Sequence, residues 1–138
     1  MKNINTYLIF NGNCRQAMEF YKKCLGGVLY LSTYGEMPGG CSEFPKAKDW
    51  IMHGRLTIKT EVLMASDTRP DMPINQGNNF FVSVQAESIE EAEKIFKALS
   101  ERGTVEMPLQ ETFWAIRFAM LTDKFGIKWM LNLEKPKA

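Results

Sequence analysis

The sequence predicts an α+β fold in which two βαβββ units form one curved, mostly antiparallel sheet with helices outside. Three observations carry this. The order strand, helix, strand, strand, strand can be read over about residues 1–70 and again over about 78–135. The helix caps of the two passes, Asn13 and Ser88, lie 88 − 13 = 75 residues apart, which implies internal duplication although residue identity between the halves is faint. The second pass ends in a hairpin, Phe113 to Leu133, with clear turn chemistry. At 138 residues the halves make a single domain, long enough to bury most of its apolar surface.

Ile4 to Phe10 alternates as a strand, with Ile4, Thr6, Leu8 and Phe10 on one face and Asn5, Tyr7 and Ile9 on the other. Asn13 can cap a helix with Gln16 three residues on; Ala17, Tyr21, Cys24 and Leu25 repeat at helical spacing, and Gly26-Gly27 stops it. Val28 to Tyr34 is a second strand. From Gly35 to about Asp49 the chain is irregular, a length more typical of a functional lid than of a connector. Trp50 to Ile58 and Glu61 to Asp67 read as a hairpin turning at Lys59-Thr60, and residues 68–78, with two prolines and a Gly, as a linker.

The plan then restarts. Asn79 to Gln85 is a strand, and Ser88 with Glu91 has capping-box spacing. Ile89, Ala92, Ile95, Phe96 and Leu99 form the apolar stripe of the second helix, which Gly103 stops. Thr104 to Met107 is a short strand. In the final hairpin, Asp123-Lys124-Phe125-Gly126 fits a type I turn whose Gly takes the left-handed position. That loop sets Asp123 opposite Ile127, Leu121 opposite Trp129 and Ala119 opposite Leu131. Alternation then gives a helix-packed face of Ala119, Leu121, Ile127, Trp129, Leu131 and Leu133. The other face carries Trp114, Ile116, Phe118, Met120, Lys128, Met130 and Asn132. It reads as a cavity wall or as a surface covered by a dimer partner.

Net charge is +1 with the charges well mixed, which points away from nucleic acid and anionic membranes. No stretch approaches the roughly 18 apolar residues of a membrane span, and the first apolar run is too short for a signal peptide, so a cytoplasmic location is expected. Three cysteines without CxxC or zinc-ligand spacing argue against a disulfide framework and a structural zinc. Cys14 and Cys24 are expected as reduced thiols at the core; Cys41, in a Gly/Pro loop, is the candidate for reactivity, with an inert thiol as the plainer reading.

Several blocks carry a resemblance: Phe10-x-Gly12-Asn13-Cys14 with Ala17 and Tyr21, Gly35-Glu36-Met37-Pro38, His53, Ser66-Asp67, Gln110-Glu111-Thr112-Phe113-Trp114-Ala115, Asp123-Lys124-Phe125-Gly126 and Trp129-Met130. Together with the paired units, they resemble the vicinal oxygen chelate superfamily of glyoxalase I, bleomycin-resistance proteins and extradiol dioxygenases. Within it the chain is most similar to the PhnB-like branch, also labelled as a 3-demethylubiquinone 3-methyltransferase domain. The resemblance implies a concave face where metal-dependent members hold a divalent cation on His or Glu from the first and last strand of each half. Alignment by turns puts Asn5, Met64, Asn79 and Met130 there. Amides and thioethers are poor donors to a hard cation, so no metal and no cofactor are expected. The methyltransferase label has no support in the residues, because no Gly-rich loop joins a parallel strand to a helix.

His53, the single histidine, is expected to face Ser66, with Arg55 facing Met64, all four on the cavity side. A histidine there can act as a general base or simply bond a neighbour. Glu36 is the second catalytic candidate, with capping of a loop amide as the plainer reading. Asp67 and Asp123 read as turn residues that satisfy backbone amides. Arg55 and Lys128 are candidate anion contacts that can also snorkel to water. Tyr7, Phe81, Trp114 and Phe118 offer flat surfaces to a ligand, with Met64, Ser66, Met120 and Met130 beside them. Three functions stay open: metal-independent binding of, or action on, a small organic molecule; a metal-dependent isomerase or lyase of the glyoxalase type with atypical ligands around His53 and Glu36; and a sequestering dimer without chemistry. Aromatic and thioether residues beyond the needs of one small core, and the resemblance, imply a homodimer.

Overall fold

The computed structural model describes residues 1–39 and 44–136. The chain divides into two compact units, Met1–Asn75 and Gln76–Ala138, and each runs strand, helix, strand, strand, strand. The strands hydrogen-bond as two four-stranded sheets, one per unit.

In the first unit, β1 (Thr6–Phe10), α1 (Cys14–Leu25), β2 (Val28–Thr33), β3 (Ile51–Ile58) and β4 (Glu61–Asp67) build a sheet of order β1-β4-β3-β2. β1 is parallel to β4, and β3 is antiparallel to both neighbours. α1 lies on β2, β3 and β4 with Cys14, Ala17, Met18, Phe20, Tyr21 and Cys24 buried. Phe10, Ile51, Leu56, Leu63 and Ala65 complete this core.

Asn13 stands at the N-cap of α1, yet its side chain makes no capping hydrogen bond. The cap comes from the far end of the unit. Asp67 Oδ1 accepts from the Gly12 N–H at 2.8 Å and the Cys14 N–H at 3.0 Å, while Oδ2 accepts from the Ile51 N–H at 2.8 Å. One buried carboxylate therefore ties the starts of α1 and β3 to the end of β4, satisfying helix donors that have no partner within the helix. Between β2 and β3 the irregular stretch contains single 3-10 turns at Tyr34–Glu36 and Pro45–Ala47; Cys41 lies outside the described residues.

In the second unit, β5 (Val82–Gln85), α2 (Ile89–Leu99), β6 (Thr104–Gln110), β7 (Ala115–Thr122) and β8 (Lys128–Glu134) give the order β5-β8-β7-β6. β5 starts three residues later than the expected Asn79. β6 runs beyond the expected Met107, through Pro108. A proline is tolerated there because β6 is an edge strand, and its pairing with β7 is irregular on both sides of Met107. Ser88 caps α2 by accepting from the Glu91 N–H at 3.1 Å, while the Glu91 carboxylate accepts from the Glu87 N–H at 2.9 Å. The helix ends at Leu99, and Arg102 rather than Gly103 takes the left-handed conformation, with φ 57°. Gly103 serves a close approach instead, since a Cβ on it would collide with the Thr122 carbonyl oxygen.

The final hairpin has the expected register, Leu121 opposite Trp129 and Ala119 opposite Leu131, with Gly126 at φ 88°. α2 packs on β7 and β8 through Ala92, Ile95 and Leu99, over Ala119, Leu121, Trp129, Leu131 and Leu133, all buried. Asp123 organises the turn. Its Oδ1 accepts from the Phe125 and Ile127 N–H groups at 2.8 and 3.1 Å, and its Oδ2 accepts from Trp129 Nε1 at 2.9 Å. Asp123 is thus the turn residue read from the sequence, whereas Asp67 is not: it satisfies backbone amides from the end of β4, across long sequence separations. No helix among the described residues is long and apolar enough to cross a membrane.

Candidate functional site

Each sheet has one face covered by its helix and one face without it, and the candidate residues that lie in strands stand on the second. In the first unit, register sets Tyr7, Met64, Arg55 and Tyr30 in one row across β1, β4, β3 and β2. In the adjacent row Ile9 pairs with Ser66 and His53 with Ser32. The face is open to solvent in part: Tyr7 and Ile9 are each 44% exposed and Tyr30 is 59% exposed, whereas Ser32 and Ser66 are buried. Two strand spacings, about 10 Å, separate Tyr7 from Arg55.

His53, Arg55, Met64 and Ser66 share this face, as alternation requires. The β3–β4 ladder shows the expected Arg55–Met64 pair and ends at Gly54–Ala65; the strand partner found for His53 is Ser32, on its other side. The Tyr7 hydroxyl lies 3.4 Å from His53 Nδ1, with the two rings 6.0 Å apart. Ser32 Oγ donates to the His53 carbonyl at 3.4 Å. Glu36 ends the 3-10 turn Tyr34–Glu36 as an exposed residue, and no hydrogen bond between described residues joins it to His53. The Arg55 guanidinium is exposed and has no ion-pair or hydrogen-bond partner among the described residues. Tyr30 and Ile9 were not among the sequence candidates; the alternation of β1 and β2 was the signal that places them here.

In the second unit, Ser83, Met130, Met120 and Met107 form one row across β5, β8, β7 and β6, and Gln85, Asn132, Phe118 and Gln110 the next. Lys128 is already engaged. Its ammonium donates to Glu106 at 2.7 Å and to Thr122 Oγ1 at 2.9 Å, and stands 5.3 Å over the Phe81 ring. Partial burial alone would raise the Glu106 carboxyl; the hydrogen bonds from Lys128 and Thr122, with the Lys128 charge, outweigh it and hold the group below the usual carboxylate range. Glu106, absent from the sequence candidates, is the extra residue where the β6–β7 register shifts, which nothing local announced. Asn132 Nδ2 donates to Gln85 Oε1 at 2.8 Å, whereas its buried Oδ1 has no partner among the described residues.

A register shift between Ala115 and Arg117 changes the alternation read for this strand. Ile116 is the residue left over, and Trp114 precedes β7. Trp114 still reaches the methionine side, edge-on to Phe118 at 5.4 Å and to Phe113 at 4.9 Å, and is 46% exposed. Phe118 is buried beneath it.

Of the residues that the superfamily resemblance places at a cation, Met64 and Met130 stand on the helix-free faces, with Tyr7 opposite Met64 and Ser83 opposite Met130 in register. Asn5 lies before β1 and donates to the Val62 carbonyl at 3.3 Å, and Asn79 lies before β5. Neither pair offers a carboxylate or an imidazole, and the thioether in each is a poor donor to a hard divalent cation. Among the described residues, no three His, Cys, Asp or Glu side chains come together as a cation site would need. Cys14 and Cys24 are buried thiols outside any disulfide. Burial, with Asp67 adding to it and Arg15 opposing, pushes the Cys14 thiol up to about 12, so at neutral pH it is no nucleophile.

Residues 2–132 match the family described as 3-demethylubiquinone-9 3-methyltransferase. Protein YjdN of Escherichia coli K12 is 34% identical over 143 residues, covering 96% of this chain and 95% of that one. The crystal structure of protein PA1353 from Pseudomonas aeruginosa is 44% identical with a TM-score of 0.88, over 99% of this chain and 100% of that one. A Bacillus cereus PhnB protein, described as a putative 3-demethylubiquinone-9 3-methyltransferase, is 26% identical with a TM-score of 0.74, over 96% and 99%. The fold is shared more widely, with a glyoxalase/bleomycin resistance protein/dioxygenase from Nocardioides at 17% identity and a TM-score of 0.60, over 100% and 87%.

Proposed function

We propose, from the premise that this chain belongs to the 3-demethylubiquinone-9 3-methyltransferase family in its PhnB-like, glyoxalase-fold form, that it binds a small organic molecule on the helix-free faces of its sheets without a divalent cation. The observation that carries this reading is the open row Tyr7, Met64, Arg55 and Tyr30 with His53 hydrogen-bonded to Tyr7, where flat rings, a thioether and polar ends stand together on a regular sheet. Methyl transfer is not part of the reading. β1 is followed by α1 and then β2, but its sheet neighbour is β4, so the parallel strand-helix-strand unit that cradles a nucleotide-type methyl donor does not form around α1.

His53 is the candidate base, and Trp114, with Phe118 behind it, a candidate stacking surface on the second unit. A thermal-shift screen of the purified protein against a varied library of small organic molecules tests the reading. For a compound that raises the melting temperature, Trp114→Ala is expected to weaken binding by about 1–3 kcal/mol if Trp114 behaves as an interface anchor does. His53→Gln should keep the fold, spare binding, and abolish any turnover that uses the ring as base. A library without a single stabilising compound would count against the proposal.

The protein is further proposed to work as a cytoplasmic homodimer. Val28 at 72% and Phe113 at 88% exposure are large apolar side chains that a partner surface would cover. Light scattering at micromolar concentration should give twice the 15.8 kDa chain mass, and a monomer mass would contradict it.

A further inference from the structure

Of the two cations read as candidate anion contacts, one is neutralised and one is not. Lys128 is held between Glu106, Thr122 and the Phe81 ring. Arg55 stands mid-row on the open face of the first unit with its guanidinium unengaged among the described residues. Its neighbours in the row are Met64 and Tyr30, its neighbour two residues back along β3 is His53, and no carboxylate belongs to either row. A strand-centre arginine beside an aromatic ring, with no acid among the described residues of its own row or the next, is a fork of donors awaiting an acceptor.

Resting on the binding reading above, we infer that the ligand carries an oxyanion, a carboxylate or a phosphonate-like group, and that Arg55 receives it. The Tyr7 hydroxyl at His53 Nδ1 leaves Nε2 as the ring nitrogen without a partner among the described residues. The anion end therefore sits at Arg55, and the ligand body runs over Met64 toward Tyr7, Ile9 and His53, across about 10 Å of sheet. That span suits a molecule of one ring or a short chain.

The test measures binding of phenylacetate, phenylphosphonate and the neutral phenylacetamide to the full chain by calorimetry. Both or one of the anions should bind, the two arms separating a planar from a tetrahedral oxyanion, and phenylacetamide should bind at least about 10-fold more weakly. Arg55→Gln should weaken the anion by about 10- to 100-fold. Arg55→Lys should recover only part of it, because the ammonium lacks the bidentate fork. Lys97→Gln, on the outer helix α2, should change nothing and controls for general charge. Equal binding of phenylacetamide, absence of binding by both anions, or an Arg55→Gln variant that binds like the parent would each overturn the inference. The first of these would leave the binding reading standing, whereas failure of the whole small-molecule library would remove that reading itself.

Discussion

Asp67→Ala should lower the unfolding free energy by about 4 kcal/mol or more, because a single buried carboxylate accepts from three backbone N–H groups and each such bond to a charged acceptor contributes about 1.5–3 kcal/mol. The loss is structural rather than local, since it leaves the Gly12, Cys14 and Ile51 amides without their acceptor and loosens α1, β3 and β4 together. Asp67→Asn should recover only part of it: the amide keeps one acceptor oxygen but turns an NH2 group toward a backbone N–H. Urea unfolding followed by far-UV circular dichroism gives the values, and a loss below about 1 kcal/mol for Asp67→Ala would show that water replaces the carboxylate cheaply.

Trp129→Ala is expected to cost about 3–5 kcal/mol, the range for deleting a large aromatic from a packed core. Trp129 is 1% exposed on the α2-covered side of β8, and its indole N–H reaches Asp123 Oδ2. Trp129→Phe separates the two contributions, keeping most of the ring volume while removing the donor, and should cost about 1–3 kcal/mol. Trp114→Ala is the counterpart on the other side: at 46% exposure it should change stability far less than Trp129→Ala. A melting temperature untouched by Trp129→Ala but collapsed by Trp114→Ala would mean that the hairpin faces are exchanged.

That hairpin was legible in the sequence because its register depends on residues within the loop: Asp123 bonds amides two and four residues away, and Gly126 supplies the positive φ. The Arg55–Met64 pair followed from the Lys59-Thr60 turn for the same reason. What escaped was nonlocal. Asn13 looked like the cap of α1, but the capping oxygen belongs to Asp67, more than 50 residues on. The second strand of the second half read as ending at Met107, and only the edge position of β6 explains how it runs on through Pro108. Lys128 looked free for a ligand because its partner Glu106 is brought to it by a register shift in β6. Another shift, between Ala115 and Arg117, takes Ile116 out of the alternation, which the sequence pattern alone could not show. The faces of the first unit were readable by alternation, although Tyr30 and Ile9 drew no notice as single apolar residues.

Thermal stabilisation by a library compound, measured with and without a chelator, tests most directly the claim that the glyoxalase fold is used here without its cation. The protein is first treated with EDTA, and the same compound is then titrated with and without added nickel, zinc or manganese. The account predicts an unchanged shift in melting temperature across all conditions, because neither the Tyr7–Met64 pair nor the Ser83–Met130 pair offers a carboxylate or an imidazole. A shift abolished by EDTA and restored by one divalent metal would contradict it.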